Sequence, residues 1–168
     1  VTVFATVGTQ LPFDRLLAAV DAWAAANPRV TVRAQTGSTL TRFAHMQCSA
    51  SLDQAAFAAA FAAARVVVSH AGMGTILSAC ELGKPILLMP RRAVFGEHRK
   101  DHQIDTAAEM AALPNVTVIH EARDIGPALT RLLAQPQNTT VGPAQASGAL
   151  IANRRDFIFA AGPRGMAT

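Results

Sequence analysis

Six residues in the middle of the chain, His70-Ala71-Gly72-Met73-Gly74-Thr75, have the types and spacing that bind an anion. An apolar run, Val66-Val67-Val68-Ser69, precedes them, and a helix-length stretch through Leu82 follows. A turn between a strand's carboxyl end and a helix's amino end gathers unpaired backbone N–H groups and the positive end of the helix dipole. Gly72 and Gly74, on either side of Met73, let the backbone approach a ligand closely. Thr75 adds a hydroxyl donor and His70 a ring N–H. Each residue alone has a plainer account. Taken alone, His70 reads first as a packed or surface histidine, the glycines as a tight turn, and Gln103 as a helix-surface residue. For His98 a solvated loop is the preferred account.

Other chemistries that need fixed spacings are missing. The dinucleotide fingerprint requires a third glycine where Leu77 stands, and the first turn of the chain offers Gly8 alone. Arg91 and Arg92 could hold a ribose phosphate or favour an acidic sugar, and a surface role suits them as well. No G-K-[ST] occurs, and Cys48 and Cys80 fit no zinc spacing. Cys80, inside an apolar helix, reads as core.

These residues need elements to position them. Val66–Ser69 and Ile86–Pro90 are strand-length apolar runs bounded by Gly and Pro, with a helix between them. That pattern predicts a right-handed parallel crossover. Val1–Val7 predicts a first strand, followed by the turn Gly8-Thr9-Gln10 and a helix from Pro12 to about Ala26. Val30–Gln35 alternates as a second strand, and Phe43–Cys48 is read as a short third. Ser51 and Asp53 are the candidate caps of a helix over Gln54–Ala64, whose Phe57 and Phe61 share one face and belong to the core. A polar, basic loop follows Pro90. A helix over Asp101–Leu113, a strand over Val116–Ile119 and a helix over Ile125–Leu133 complete the pattern. Alternating strands and helices predict an α/β, Rossmann-like, doubly wound parallel sheet, with ligands outside the carboxyl ends of its strands. Residues 1–145 read as one domain. Residues 146–168 read as a terminal helix (Ala146–Ala160) and a frayed end, where Leu150, Phe157 and Ile158 beside Arg154 and Arg155 form a candidate partner-docking element.

Composition narrows the class. The 51% hydrophobic fraction suits a sheet covered on both faces. No apolar run approaches the roughly 18 residues of a membrane span, and the opening strand lacks the basic start of a signal peptide. The chain therefore reads as cytosolic. A net charge of +4 is compatible with phosphorylated ligands or an anionic membrane surface. The absence of Tyr and of any dense basic run argues against nucleic acid.

The series His70-Ala71-Gly72-x-Gly74-Thr75, Gly83-Lys84-Pro85 and Asp101-His102-Gln103 resembles the nucleotide-sugar-binding half of GT-B glycosyltransferases and is similar to the family-28 carboxyl-terminal domain. The opening Val7-Gly8-Thr9-Gln10-Leu11-Pro12-Phe13-Asp14 resembles the small donor-binding subunits of split transferases, in bacterial exopolysaccharide synthesis and eukaryotic lipid-linked oligosaccharide assembly. The resemblance covers roughly residues 1 to 135. It implies that His70 is catalytic and, with Gly72, Met73, Gly74 and Thr75, faces the diphosphate of a UDP-sugar. Gln103 matches the glutamine that bonds the donor sugar, His102 stands where many relatives carry Asp, and Gly8, Thr9 and Gln10 would rim the cleft. Ser78 departs from the pattern, because many relatives place a carboxylate there to grip the ribose diol. Glu81 reads as a solvated helix residue. The resemblance further implies no metal, a membrane-anchored subunit that binds a lipid-linked acceptor, transfer with inversion, and a peripheral place at the inner face of the plasma membrane. A nucleotide-sugar epimerase and a non-catalytic nucleotide-sugar-binding module are the alternatives.

Overall fold

The computed structural model describes residues 2–136. The expected terminal helix over Ala146–Ala160 lies outside them. Six strands form one parallel sheet: β1 (Thr2–Thr6), β2 (Thr31–Gln35), β3 (Gln47–Ser49), β4 (Val66–Ser69), β5 (Ile86–Leu88) and β6 (Val116–Val118). The strand order is β3-β2-β1-β4-β5-β6. The order reverses between β1 and β4, which creates a crevice at their carboxyl ends. The helices are α1 (Asp14–Ala26), α2 (Gln54–Ala63), α3 (Met73–Glu81), α4 (His102–Met110) and α5 (Ile125–Ala134).

Period-two alternation sorts the strands onto two cores. Val3, Ala5, Val66, Val68 and Leu87 pack against Leu16, Leu17 and Val20 of α1 and Ile125 and Leu129 of α5. Phe4, Val67, Ile86 and Leu88 face the other way, onto Phe61 of α2, Ile76 and Cys80 of α3 and Met110 of α4. Burial pushes the Cys80 thiol pKa up, in keeping with a core role. Phe57 sits edge-on to Phe4 at 5.4 Å.

Local chemistry sets the element ends. Asp53 caps α2 by accepting from the Ala56 N–H at 2.7 Å. The end of α3 forms a Schellman turn, in which Lys84 N–H donates to Ala79 O and Gly83 N–H to Cys80 O. That turn requires the left-handed φ of +60° which Gly83 adopts. Lys84 Nζ in turn donates to Ala62 O and Ala64 O at the end of α2. The Gly83-Lys84-Pro85 signature is therefore structural, joining two helix ends below the sheet.

The third strand falls later than expected. Residues 36–46 cross from β2 to β3 without a helix and are held by polar contacts to α1. Thr39 and Thr41 donate to the Asp14 carboxylate, and His45 N–H donates to Asp21. Phe43 packs on the core from this loop, outside any strand.

Candidate donor site

The carboxyl ends of β1, β4 and β5 frame a cleft of about 70 Å³. It is lined by Val7 to Leu11, His70, Arg91, His98 and Gln103. The sheet builds its rim. Thr6 Oγ1 donates to Gln35 Oε1 at 2.9 Å across the ends of β1 and β2, and Gly8, at φ +72°, folds back over it.

His70 leaves β4 with its ring held between two glycines. A Cβ on Gly72 would lie 2.3 Å from His70 Nε2, and one on Gly8 would lie 3.0 Å from His70 Cε1. The space that a Gly72 side chain would take is filled by the histidine ring, so this glycine makes room for His70. Gly74 does leave space, with nothing within 4 Å of its Cβ direction. Burial first, then the nearby Arg91 charge and a smaller push from His98, lowers the His70 pKa from 6.5 to about 4, against a backbone hydrogen bond to Thr6. The ring is neutral at physiological pH. It can donate or accept a hydrogen bond there but carries no charge.

Gly72 caps α3 in an extended conformation with no side-chain hydrogen bond, so the first N–H groups of α3, on Met73, Gly74 and Thr75, remain open. Ser78 is one turn further on, and its hydroxyl donates to Gly74 O at 3.0 Å, which leaves it only lone pairs to offer. Glu81 is exposed at the end of the same helix. Gln103 reaches the cleft from the first turn of α4, and its Oε1 accepts from the Arg91 N–H at 3.1 Å. His102 is exposed and is not among the lining residues. The structure therefore brings Gly8, Thr9, Gln10, His70 and Gln103 together, with α3's first turn beside them through the Gly72–His70 contact.

Sequence reasoning left Arg91 between a ligand contact and a surface role, and placed His98 in a solvated loop. His98 lines the cleft and is half-buried, rather than belonging to a solvated loop. Arg91 is 3% exposed, so neither a surface role nor a free hand for a sugar survives for it. Its guanidinium donates to the carbonyls of Val7, Leu11, Pro12 and Glu97 and lies over the Phe13 ring. The available signal was its place directly after β5's apolar run, where a strand delivers side chains to the crevice. Arg92 is more open, 3.5 Å from the Glu121 carboxylate.

Among the described residues no cluster of three or more His, Cys, Asp or Glu is placed to hold a metal ion. Among them no helix is long and apolar enough to cross a membrane.

A parallel sheet in this order, with an open helix N-terminus at its switch point, is the architecture of the C-terminal half of a GT-B glycosyltransferase. The chain belongs to the glycosyltransferase family 28 C-terminal domain, whose model matches residues 2–151. A Bacteroides fragilis UDP-N-acetylglucosamine--N-acetylmuramyl-(pentapeptide) pyrophosphoryl-undecaprenol N-acetylglucosamine transferase is 39% identical over 56 residues, 33% of this chain and 15% of that protein. The solved glycotransferase of kitacinnamycin superposes with a TM-score of 0.61 at 17% identity, covering 92% of this chain and 38% of that one. The UDP-GlcNAc 2-epimerase from Neisseria meningitidis, solved with UDP-GlcNAc, gives 0.60 at 12% identity, covering 94% and 44%. At these identities the two structures establish the fold alone. The chain spans less than half the length of either.

The neutral His70 leads to a pH prediction. An unfolded chain takes up the His70 proton near pH 6.5, whereas the folded one refuses it until about pH 4. Stability is therefore lost as pH falls through that window, by about 3 kcal/mol at most. Urea unfolding of the chain and of His70→Gln between pH 7 and 4 should show the variant losing less stability. Parallel curves would contradict the buried, neutral ring.

Proposed function

We propose that this chain is the donor-binding half of a glycosyltransferase that uses a UDP-sugar. The observation that carries the proposal is the cleft at the β1/β4 switch point, flanked by the open N-terminus of α3, in a chain of family 28. The diphosphate would lie against the N–H groups of Met73–Thr75, with the Thr75 hydroxyl and neutral His70 as further hydrogen-bond partners. As the bond from the anomeric carbon to UDP breaks, negative charge grows on the leaving diphosphate, and the helix N-terminus stabilises it. That positive potential fills the role a metal would take, so no metal is called for. Gln103 would hold the hexose, and Ser78 would accept from the ribose diol. The shared epimerase fold does not favour epimerisation here, because the family assignment is to a transferase.

In this reading the acceptor hydroxyl attacks the anomeric carbon from the face opposite UDP, with inversion, and its proton passes to a base. That base and the acceptor site belong to a second half. The likeness of Val7–Asp14 to split enzymes supports a separate, membrane-anchored subunit that presents a lipid-linked acceptor and holds this chain at the inner face of the plasma membrane.

Gln103→Ala tests the sugar pocket. By calorimetry across a panel of UDP-sugars, it should weaken the preferred UDP-sugar about tenfold and free UDP little, the value of one hydrogen bond. Equal weakening of both would remove Gln103 from the sugar pocket. Transfer assays test the split: the purified chain should be silent until the acceptor-binding subunit is added, and robust transfer by the chain alone would contradict it.

A further inference from the structure

We propose that Arg91 is the positioning residue of the donor cleft: it pins the Val7–Pro12 rim and turns the Gln103 amide so that its NH2 group faces the ligand. The inference rests on the reading of this cleft as the UDP-sugar site. Three guanidinium bonds tie the rim to the β5–α4 loop, to Val7 O and Leu11 O at 2.7 Å from Nη2 and to Pro12 O at 2.7 Å from Nη1, and a fourth, to Glu97 O at 3.2 Å from Nη1, stays within the loop. The first three acceptors belong to the segment that also carries Gly8, Thr9 and Gln10. The planar fork holds that irregular segment from both sides, a geometry lysine cannot reproduce. The backbone N–H of the same residue occupies Gln103 Oε1, so the free donor of that amide is Nε2. One residue thus sets the shape of the rim and the polarity of the sugar-side contact.

The charge on Arg91 points the same way. Among the described residues Arg91 forms no ion pair. The carboxylate whose charge acts on it, Glu97, is taken bidentately by Arg15 at 2.7 and 2.9 Å. A buried cation that shares its counter-ion with another is costly unless a further anion joins it. Arg91 lines the cleft beside His70, where it helps keep that ring neutral. Glu97 acts on Arg91 through its charge but is bonded to Arg15, so an anionic diphosphate entering the cleft would meet a guanidinium that is only partly offset, beside a neutral imidazole.

The test uses 15N-labelled chain carrying Arg91→Lys or Arg91→Met, with thermal unfolding as the control for folding. In both variants the backbone amides of Val7 and Gly8, which donate to Gln35 O and Thr6 Oγ1 at the base of the rim, should exchange at least tenfold faster. The His70 imidazole midpoint, followed by NMR, should rise in Arg91→Met, where the charge is gone, and less in Arg91→Lys. UDP should bind Arg91→Met at least tenfold more weakly. Folded variants with wild-type exchange and an unmoved His70 midpoint would overturn the proposal. Gln103→Glu gives an arm that leaves the guanidinium in place. Its carboxylate still accepts from Arg91 N–H but has no NH2 donor to offer, so the preferred UDP-sugar should weaken at least fivefold more than free UDP; equal weakening of the two, or none, would overturn the assigned amide orientation. If UDP fails to bind the unmodified chain, the UDP-site reading falls, while the exchange and His70 measurements still decide the positioning role.

Discussion

Gly72→Ala is expected to weaken UDP binding at least tenfold while leaving α3 in place. Gly72 has φ −95° and ψ 127°, an extended conformation that alanine adopts without strain. The effect is therefore steric and falls on one side chain. The new Cβ would lie 2.3 Å from His70 Nε2 and 2.9 Å from Cε1, distances no real methyl group tolerates. The ring cannot retreat toward Gly8, whose own Cβ direction is 3.0 Å from Cε1. His70 must leave its slot, and the hydrogen bond it offers the diphosphate goes with it. Gly74→Ala is the control for folding. Its Cβ meets nothing within 4 Å, and alanine in a helix is favoured over glycine by about 1 kcal/mol. Thermal unfolding and UDP titration of the pair separate the two effects: Gly72→Ala should lose ligand, and Gly74→Ala should keep its fold. A Gly72→Ala chain that binds UDP normally would show that His70 is not a ligand.

Glu97→Ala should cost about 2–3 kcal/mol of stability. The Glu97 carboxylate accepts from Arg15 Nε at 2.7 Å, Arg15 Nη2 at 2.9 Å and Arg92 N–H at 2.9 Å. Its side chain is 9% exposed and that of Arg15 19%, so the pair is largely shielded and solvent does little to screen it. Removal leaves Arg15 with the carbonyls of Pro90 and His120 alone as oxygen acceptors, and frees the Arg92 N–H. The loop from Arg91 to Asp101, which carries His98 to the cleft, loses its main tie to α1. Glu97→Gln should cost less, since the amide oxygen can still accept from Arg15. Urea unfolding measures both, and a loss under about 0.5 kcal/mol for Glu97→Ala would mean that the pair contributes little.

What could be read from the sequence follows from how each part is held. The strands β1, β4 and β5 are short apolar runs packed on both faces, so Val66–Ser69 matches its expected span residue for residue. Helix α1 shows its buried stripe of Leu16, Leu17 and Val20, and α2 its Asp53 cap. Residues 36–46 have no such periodicity. They are fixed by side-chain bonds to Asp14 and Asp21, which only the folded chain brings near. Gly8 and His70 could be named because they end strands in glycine-bearing turns. That Gly8 and Gly72 exist to enclose His70 could not, because they stand 64 residues apart. The rim-holding role of Arg91 was hidden for a related reason. Nothing in Arg91-Arg92 distinguishes a buried arginine from its half-exposed neighbour until the carbonyls of Val7, Leu11 and Pro12 are folded against it.

The central claim is that UDP, and with it the donor sugar, binds at the switch-point cleft. Backbone amide shifts of the 15N-labelled chain on titration with UDP test it most directly. The account predicts saturable shifts at Met73, Gly74 and Thr75, with companion shifts at Gly8–Leu11 and in the His70 ring. Saturable shifts confined to other residues, or none at millimolar UDP, would contradict it.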